Sequence, residues 1–392
     1  MGTFTLNTEK IPKELVIILS IIKDEKIEKD WLKDTDWKLF IQLLIHHRLY
    51  PLIYPKLNEY DKNFFPSHIL QLISYKYRLN TIEMLKLSGE MTELDGLFNE
   101  NKIKTIFLKG PALALELYGE ISLRTSGDLD ILVSIDHLEI VNDLLCKAGY
   151  NKDEYFSTTL DDWKWRHHHL TYLHPEKQIK LEVHWRLNPG PSEEPSFKEL
   201  WERREKVSFS GHKIYLLGKE DLFLFLVTHG ARHGWSRLRW LVDIHKLMNK
   251  DVDWISLIKK LKKYDFMKIG GQSIFLANQL LDTSVDEYII KETFCDRSKK
   301  LANEAVFYLE RMINLHSEPL PAEVSNFHKK HMFHLLTLRQ KILFVLSFLY
   351  PYPEDVDVLP LPKKLHFLYF PLRPFLWGWR RIKGLRKQAI SN

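Results

Sequence analysis

The sequence predicts a mixed α/β (α+β) protein, in which a core with a small mixed sheet lies between two helical regions. Apolar residues recur at helical spacing in the first hundred residues and again in the last half of the chain, whereas short apolar strands alternate with helices between them. At 392 residues the chain is long enough for two or three domains. We expect an N-terminal helical region, a core, a C-terminal helical domain and a tail, at residues 1–100, 101–217, 218–350 and 351–392.

The N-terminal region shows its helical spacing most clearly from residue 37 onward. Trp37, Phe40, Ile41 and Leu44 recur on one helical face. The following stretch, H-H-R-L-Y-P-L-I-Y from His46, is also rich in apolar side chains. We expect it to belong to the hydrophobic core.

The core is predicted to run strand, helix, strand, helix and then an antiparallel strand pair. A glycine, Gly149, is expected to end the second helix. The predicted ranges are 104–108, 112–118, 128–133, 137–148, 168–173 and 179–185.

The tail differs in charge from the rest of the protein. Residues 361–392 carry eight Lys and Arg side chains and no acid, so subtracting eight from the overall net charge of +6 leaves the first 360 residues at about −2. Aromatic residues are interleaved with these cations, which suits an anionic membrane surface, a nucleic acid, a protein partner or packing against the protein itself. The prolines should prevent one long helix, although Trp377–Ala389 could form a short one.

Cysteine usage and the apolar runs indicate where the protein resides. Cys146 and Cys295 lie far apart without metal-ligand spacing, as expected for reduced residues of a cytoplasmic protein. No signal peptide is recognised at the N-terminus, and the longest apolar runs are about half a bilayer span. We expect a cytoplasmic protein without a transmembrane segment, with the tail as its route to any membrane association.

The segment L-K-G-P-A through G-D-L-D-I-L-V carries the strongest chemical signal. Asp128 and Asp130 are two residues apart at the start of an apolar strand, so both side chains should project from one face. Two acids on one face repel unless a cation lies between them, and a divalent metal is the usual cation. A third acid on a nearby strand, Glu182, would complete a two-metal site, with His184 on the same face. The alternative is a solvated strand end.

Upstream, Lys109-Gly110-Pro111 forms a glycine turn that enters a helix, whose first turn could meet an anion. Arg124 lies between this turn and the acids. It could contact phosphate or pair with Asp128.

The motifs L-K-G, R-x-x-G-D-L-D and L-E-x-H-W together resemble the uncharacterised bacterial nucleotidyltransferase family of the polymerase-β-like superfamily, over about residues 35–250. The resemblance implies transfer of a nucleoside monophosphate from an NTP, with ATP as the expected donor, to a hydroxyl-type acceptor on a small molecule, peptide or protein. It implies Mg²⁺ (or Mn²⁺) bound by the catalytic residues Asp128, Asp130 and Glu182. Nucleotide or acceptor contacts are expected from Lys109, Gly110, Arg124, His184, His229, His233, Arg239 and Asp243.

Several observations leave alternatives open. Pro111 stands where the superfamily usually has Gly or Ser, which allows a non-catalytic binding or scaffold protein in a biosynthetic or regulatory system. The D-L-D motif also occurs in glycosyltransferases. His167, His168 and His169 alternate faces in a strand, so we expect a solvated run. His229 and His233 could share an ion only on an unbroken helix, and Arg239 with Asp243 could form a helix-surface ion pair.

Overall fold

The computed structural model describes residues 5–61, 64–153, 161–315 and 319–390. Its N-terminal region is helical, as predicted, and the fourth helix has 34 residues. A proline or an aspartate precedes three of these helices, and the Asp36 carboxylate accepts a hydrogen bond from the Leu39 amide at the start of the second. The helices are α1 (Lys13–Ile22), α2 (Trp37–His46), α3 (Tyr50–Leu57) and α4 (Ser67–Glu100).

The core is built on a seven-stranded mixed sheet, so the predicted fold class is confirmed. Its strands are β1 (Ile106–Phe107), β2 (Leu129–Leu132), β3 (Asn151–Lys152), β4 (His169–His174), β5 (Ile179–His184), β6 (Glu205–Phe209) and β7 (His212–Leu216). The spatial order is β3-β4-β5-β2-β1-β7-β6, with β2 parallel to β5 and antiparallel to β1. The helices between them are α5 (Pro111–Tyr118), α6 (Leu138–Lys147), α7 (Trp163–Arg166) and α8 (Phe197–Glu202).

The four predicted strands are present, and β4 and β5 form the predicted antiparallel pair. The hairpin of β6 and β7 was not predicted. Its sequence signal was the Ser210-Gly211 turn, where both residues have positive φ (49° and 82°), as a two-residue hairpin turn requires.

Side-chain alternation along β2 and β5 decides which residues face the helices. Leu129, Ile131 and Val183 pack in one hydrophobic cluster with Met91 of α4 and Val141 of α6. Because alternate side chains of a strand point to opposite faces, the polar residues between them project from the other face of the sheet. This alternation places the candidate acids together.

The C-terminal region is helical, and its helices share a hydrophobic cluster with the N-terminal ones, for example Leu15 and Phe40 with Phe225 and Ile274. The four-part domain division stays a prediction. The helices are α9 (Lys219–Arg232), α10 (Leu238–Met248), α11 (Trp254–Lys263), α12 (Met267–Leu281), α13 (Glu287–Thr293), α14 (Asp296–Glu310), α15 (Ala322–Leu335), α16 (Leu338–Ser347), α17 (Pro353–Val358) and α18 (Tyr369–Ile390).

The tail contains a helix longer than predicted, because α18 has 22 residues. Pro371 lies in its first turn, where a missing N–H costs nothing, and Pro374 alone interrupts the interior. The side chains of Lys383, Arg386 and Lys387, three of the eight predicted cations, lie outside the described residues. Among the helices that are described, none is long and apolar enough to cross a membrane.

Candidate active site

Three of the predicted residues meet on the polar face of the central strands. Asp130 of β2 is the register partner of Glu182 in β5, and His184 follows two residues later on the same side. The His184 Nε2 atom lies 3.3 Å from Asp130 Oδ1 and 3.5 Å from Glu182 Oε2. We call Asp130, Glu182 and His184 the acid face. Asp128, just before β2, is half-buried and lines the same cavity.

The acid face fits a divalent cation. One ligand atom from each of its three residues lies within 4.8 Å of the others. The Asp130 Oδ2 atom is buried and has no hydrogen-bond partner among the described residues. Such an atom needs a polar partner, because an unpaired buried carboxylate oxygen is costly. Carboxylate and imidazole donors are a set that divalent metals accept.

The charges of the acid face are partly balanced by neighbouring cations. Burial opposes ionisation of Asp130, but the Lys109 ammonium, 3.0 Å away, and His184 hold the pKa of Asp130 below its usual value. Burial likewise opposes ionisation of Glu182, yet hydrogen bonds from His184 and Lys180 and the nearby charge of His169 lower its pKa.

The pKa values of Asp128 and His184 are raised, in contrast to those of Asp130 and Glu182. Burial, and then the charge of Asp130, raise the pKa of Asp128. Burial alone would lower the pKa of His184, but its hydrogen bonds to Asp130 and Glu182 raise it. The site therefore favours cations at its centre.

The acid face opens into a cavity of about 570 Å³, which we call the acid pocket. Five arginines line it from three separate parts of the chain: Arg48, Arg124, Arg232, Arg237 and Arg239. Burial lowers the pKa of Arg232 and Arg237 to about 10 and that of Arg239 to about 9, so all three remain cations at neutral pH. The side chains of Arg48, Arg232 and Arg237 donate no hydrogen bond to a described residue and form no ion pair with one, although Arg237 lies over the Trp240 ring. An anion is the partner that such guanidinium groups need.

The Lys109-Gly110-Pro111 turn has the predicted form. Gly110 has a φ of +81° and directly precedes α5, and Pro111 is the first residue of that helix. An added Cβ at Gly110 would lie 3.3 Å from Leu129 Cδ2, so the turn packs closely against β2. Lys109 lies over the Phe225 ring, 5.3 Å from its centroid, and reaches the acid face from this turn.

Arg124 and Asp243 bind each other. The Arg124 Nε and Nη2 atoms donate to the two Asp243 oxygens, each at 3.0 Å, and the Tyr118 hydroxyl donates to Asp243 at 2.6 Å. The pairs considered from the sequence, Arg124 with Asp128 and Arg239 with Asp243, are therefore not the ones formed. Arg239 instead donates to Thr125, and it is buried rather than at a helix surface.

Residues of α9 and α10 form another wall of the acid pocket. His229 and the helix-capping His233 lie against Trp240, with ring centroids 5.3 and 5.1 Å from it. Burial holds the pKa of His229 well below its usual value, so its imidazole is neutral. Neither histidine belongs to a cluster of possible metal ligands within the described part of the chain.

Sequence reasoning missed several residues of the acid pocket. His168 and His169 line it beside His184, so the expectation of a solvated histidine run is wrong for these two. The signal for His169 was its position in β4 opposite His184. Lys180 shares a strand face with Glu182 and could have been found by the same period of two. The arginines at 48, 232 and 237 were not predicted, although the last two lie among the predicted contact residues His229, His233 and Arg239.

Comparison with known proteins identifies a family that covers the core and the helices on either side of it. Residues 33–282 match a family described as uncharacterised nucleotidyltransferase, which confirms the resemblance in the motifs. A solved lincosamide antibiotic adenylyltransferase with lincomycin bound is 21% identical over 35% of this chain and 84% of its own, with a TM-score of 0.27. An antigenic nucleotidyltransferase-like protein from Paracoccidioides brasiliensis is 14% identical over 51% of this chain and 94% of its own, with a TM-score of 0.31. No curated protein matches the chain.

Proposed function

The chain belongs to the uncharacterised nucleotidyltransferase family, and we propose from this that it moves a nucleoside monophosphate from an NTP, with ATP as the expected donor, to a hydroxyl on an acceptor. One observation carries the proposal: one cavity is lined by the acid face and by three arginines, Arg48, Arg232 and Arg237, whose side chains form no hydrogen bond or ion pair within the described residues. The acids suit divalent cations and the arginines suit phosphate oxygens. A nucleotide triphosphate with its metal ions presents both kinds of partner.

We assign the roles as follows. Asp128, Asp130 and Glu182 would hold one or two divalent ions, with His184 beside them, and a bound ion would supply Lewis acidity to the phosphate and acceptor oxygens. Arg48, Arg232 and Arg237 would hold the triphosphate in line with the acceptor. Glu182 would take the proton of the attacking hydroxyl. Most of the rate enhancement would come from position and charge, because the displacement itself needs little covalent help from the protein.

Lys109 and the turn at Gly110 complete the phosphate site. The helix that begins at Pro111 directs its remaining free amides and the positive end of its dipole toward the turn. Lys109, whose ammonium now contacts Asp130, would donate to a phosphate oxygen. The ion pair of Arg124 with Asp243 holds the segment before Asp128 against α10. Its contribution would be to position Asp128.

The direct test is transfer of label from α-labelled ATP, in the presence of Mg²⁺, to acceptors in a cell extract. We expect Asp130→Asn to abolish transfer, because the amide keeps the side-chain volume but loses the charge. The matched control is Asp143→Asn, which removes an exposed acid of α6 outside the acid pocket. Transfer that survives Asp130→Asn contradicts the assignment.

A scaffold that binds without catalysis is the second candidate, and Pro111 favours it, because proline offers phosphate no amide hydrogen. Calorimetry separates the two. An enzyme should bind ATP more tightly with Mg²⁺ than without it, whereas a scaffold with a different ligand should give no metal-dependent nucleotide binding.

We also infer that the tail contacts an anionic membrane surface. One side of its last helix packs against earlier residues of the tail: Tyr369 is fully buried, and Arg373 pairs with the buried Asp355. The other side exposes large aromatic side chains next to cations, with Trp377 lying under the Arg381 guanidinium. Aromatic rings with adjacent cations suit the headgroup region of a bilayer. The exposed aromatic residues are Phe367, Phe370, Phe375, Trp377 and Trp379.

A further inference from the structure

A second cavity adjoins the acid pocket and has a different chemistry. Its volume is about 500 Å³, within the range of small-molecule sites, and its walls are mostly carbon. It shares two residues with the acid pocket, Pro189 and Arg232. We call it the apolar cavity.

Four parts of the fold enclose the apolar cavity, and one of them is the end of α9 with Ala231 and Arg232. The loop that follows β5 supplies Pro189 and Pro191, and α12 with the residue before it supplies Ile269 and Phe266. The opposite side comes from α15 and α16. Their lining side chains include Met332, Phe333, Leu336 and Phe344. The cavity therefore lies between the core and the helices that follow it.

Arg232 lies at the boundary of the two cavities. Its side chain is half-buried at the end of α9, and it neither donates a hydrogen bond to a described residue nor forms an ion pair with one. A charged group without a partner at such a boundary favours a ligand oxygen. A molecule in the apolar cavity would therefore be drawn to place its polar end beside Arg232, toward the acid pocket.

We propose that the apolar cavity binds the acceptor, and that the acceptor is an amphiphilic small molecule with an apolar body and a terminal hydroxyl. The inference rests on the proposed nucleotidyl transfer. The apolar body would fill the space between Ile269, Met332 and Phe344. The hydroxyl would pass Arg232 and reach the acid face. A sugar or another fully polar acceptor would gain nothing from these walls, because burying hydroxyl groups without partners is costly.

The reaction then balances without any further reagent. The acceptor oxygen forms a bond to the α-phosphorus of the NTP, and the bond from that phosphorus to the bridging oxygen of the β-phosphate breaks. Pyrophosphate leaves with the electron pair of the broken bond. The hydroxyl proton passes to Glu182. The product is the nucleoside monophosphate ester of the acceptor.

Binding is tested with 2-naphthaleneethanol, which has an apolar ring system and one terminal hydroxyl, by calorimetry on the full chain. Met332→Trp fills the cavity, and we expect it to weaken binding by about tenfold or more. Leu336→Trp is a second filling variant, in case the first does not fold. Leu338→Trp is the matched control, because Leu338 is 75% exposed and does not line the cavity. All variants should still bind ATP with Mg²⁺ as the unmodified protein does.

Transfer is tested with α-labelled ATP and two model acceptors, 2-naphthaleneethanol and glycerol. We expect label on the naphthyl alcohol in preference to glycerol, and loss of this preference in Met332→Trp. Equal probe binding by the unmodified protein and both filling variants overturns the proposal, and so does a preference for glycerol. A dimer that excludes the probe also overturns the proposal, because a second copy of the chain would then occupy the cavity. If the probe binds at the cavity but ATP does not bind, the nucleotidyl transfer fails and the apolar site stands.

Discussion

Asp243→Asn is expected to destabilise the protein strongly, because it removes one partner of a buried ion pair. Arg124 and Asp243 are 1% and 0% exposed, and two hydrogen bonds of 3.0 Å join them. The amide of asparagine would turn an N–H donor toward a guanidinium N–H donor. The Arg124 charge would then remain in the interior without a counter-charge.

The size of the effect follows from the burial of both groups. Removing one partner of a buried pair typically costs about 3–5 kcal/mol, against a total stability of about 5–15 kcal/mol. The Tyr118 hydroxyl, which donates to Asp243 at 2.6 Å, keeps an acceptor in the amide oxygen and should not add to this cost. Because the pair joins α10 to the segment before Asp128, the loss should also loosen the candidate site.

Urea unfolding followed by tryptophan fluorescence and by circular dichroism measures the change in the free energy of unfolding. The matched control is Asp30→Asn, which breaks an ion pair to Lys33 whose side chains are 81% and 71% exposed, and which should cost less than about 1 kcal/mol. The double variant Arg124→Met with Asp243→Asn should cost about 2–3 kcal/mol less than the sum of the single ones. Additive single effects, or a cost for Asp243→Asn no larger than for the control, would refute the reasoning.

Three further outcomes are expected. His47 is fully buried, and burial holds its pKa well below the usual value of about 6.5. Because only the unfolded chain binds a proton there, His47 should lower the free energy of unfolding by about 1.4 kcal/mol for each pH unit below about 6.5. Urea titrations at pH 7.5 and 5.5 should show a smaller loss for His47→Asn. Gly230→Ala should lower the free energy of unfolding by about 1–3 kcal/mol, because the added Cβ would lie 2.3 Å from the Trp235 ring. Gly96→Ala is the matched control: nothing lies within 4 Å of its added Cβ, so it should stabilise α4 by about 0.5–1 kcal/mol. Serine replacements of three exposed tail aromatics, Phe375, Trp377 and Trp379, should reduce the fraction of protein that co-sediments with anionic vesicles. An unchanged bound fraction would count against membrane contact.

Local patterns in the sequence were enough to predict the central strands and the acid residues on them. Glu182 and His184 are two residues apart in β5, and a strand places residues two apart on one face whatever the rest of the chain does. The strand predicted from Asp128 begins one residue later, at Leu129, so Asp128 directly precedes it. The Lys-Gly turn was recognisable for a similar reason, since Gly110 has a backbone conformation that other residues rarely adopt. In each case the information lies within a few neighbouring residues.

Tertiary structure alone decided which strands are neighbours and which cations join the acids. Asp130 lies beside Glu182 because β2 pairs with β5 in a parallel register, which depends on the packing of the whole sheet. Arg48 and Arg232 lie far apart in the chain, and only the fold brings both to one cavity. Arg124 finds its partner 119 residues away, so its pairing could not be read from spacing. Local periodicity fixes the direction of a side chain within its own element, whereas long-range packing determines which directions converge.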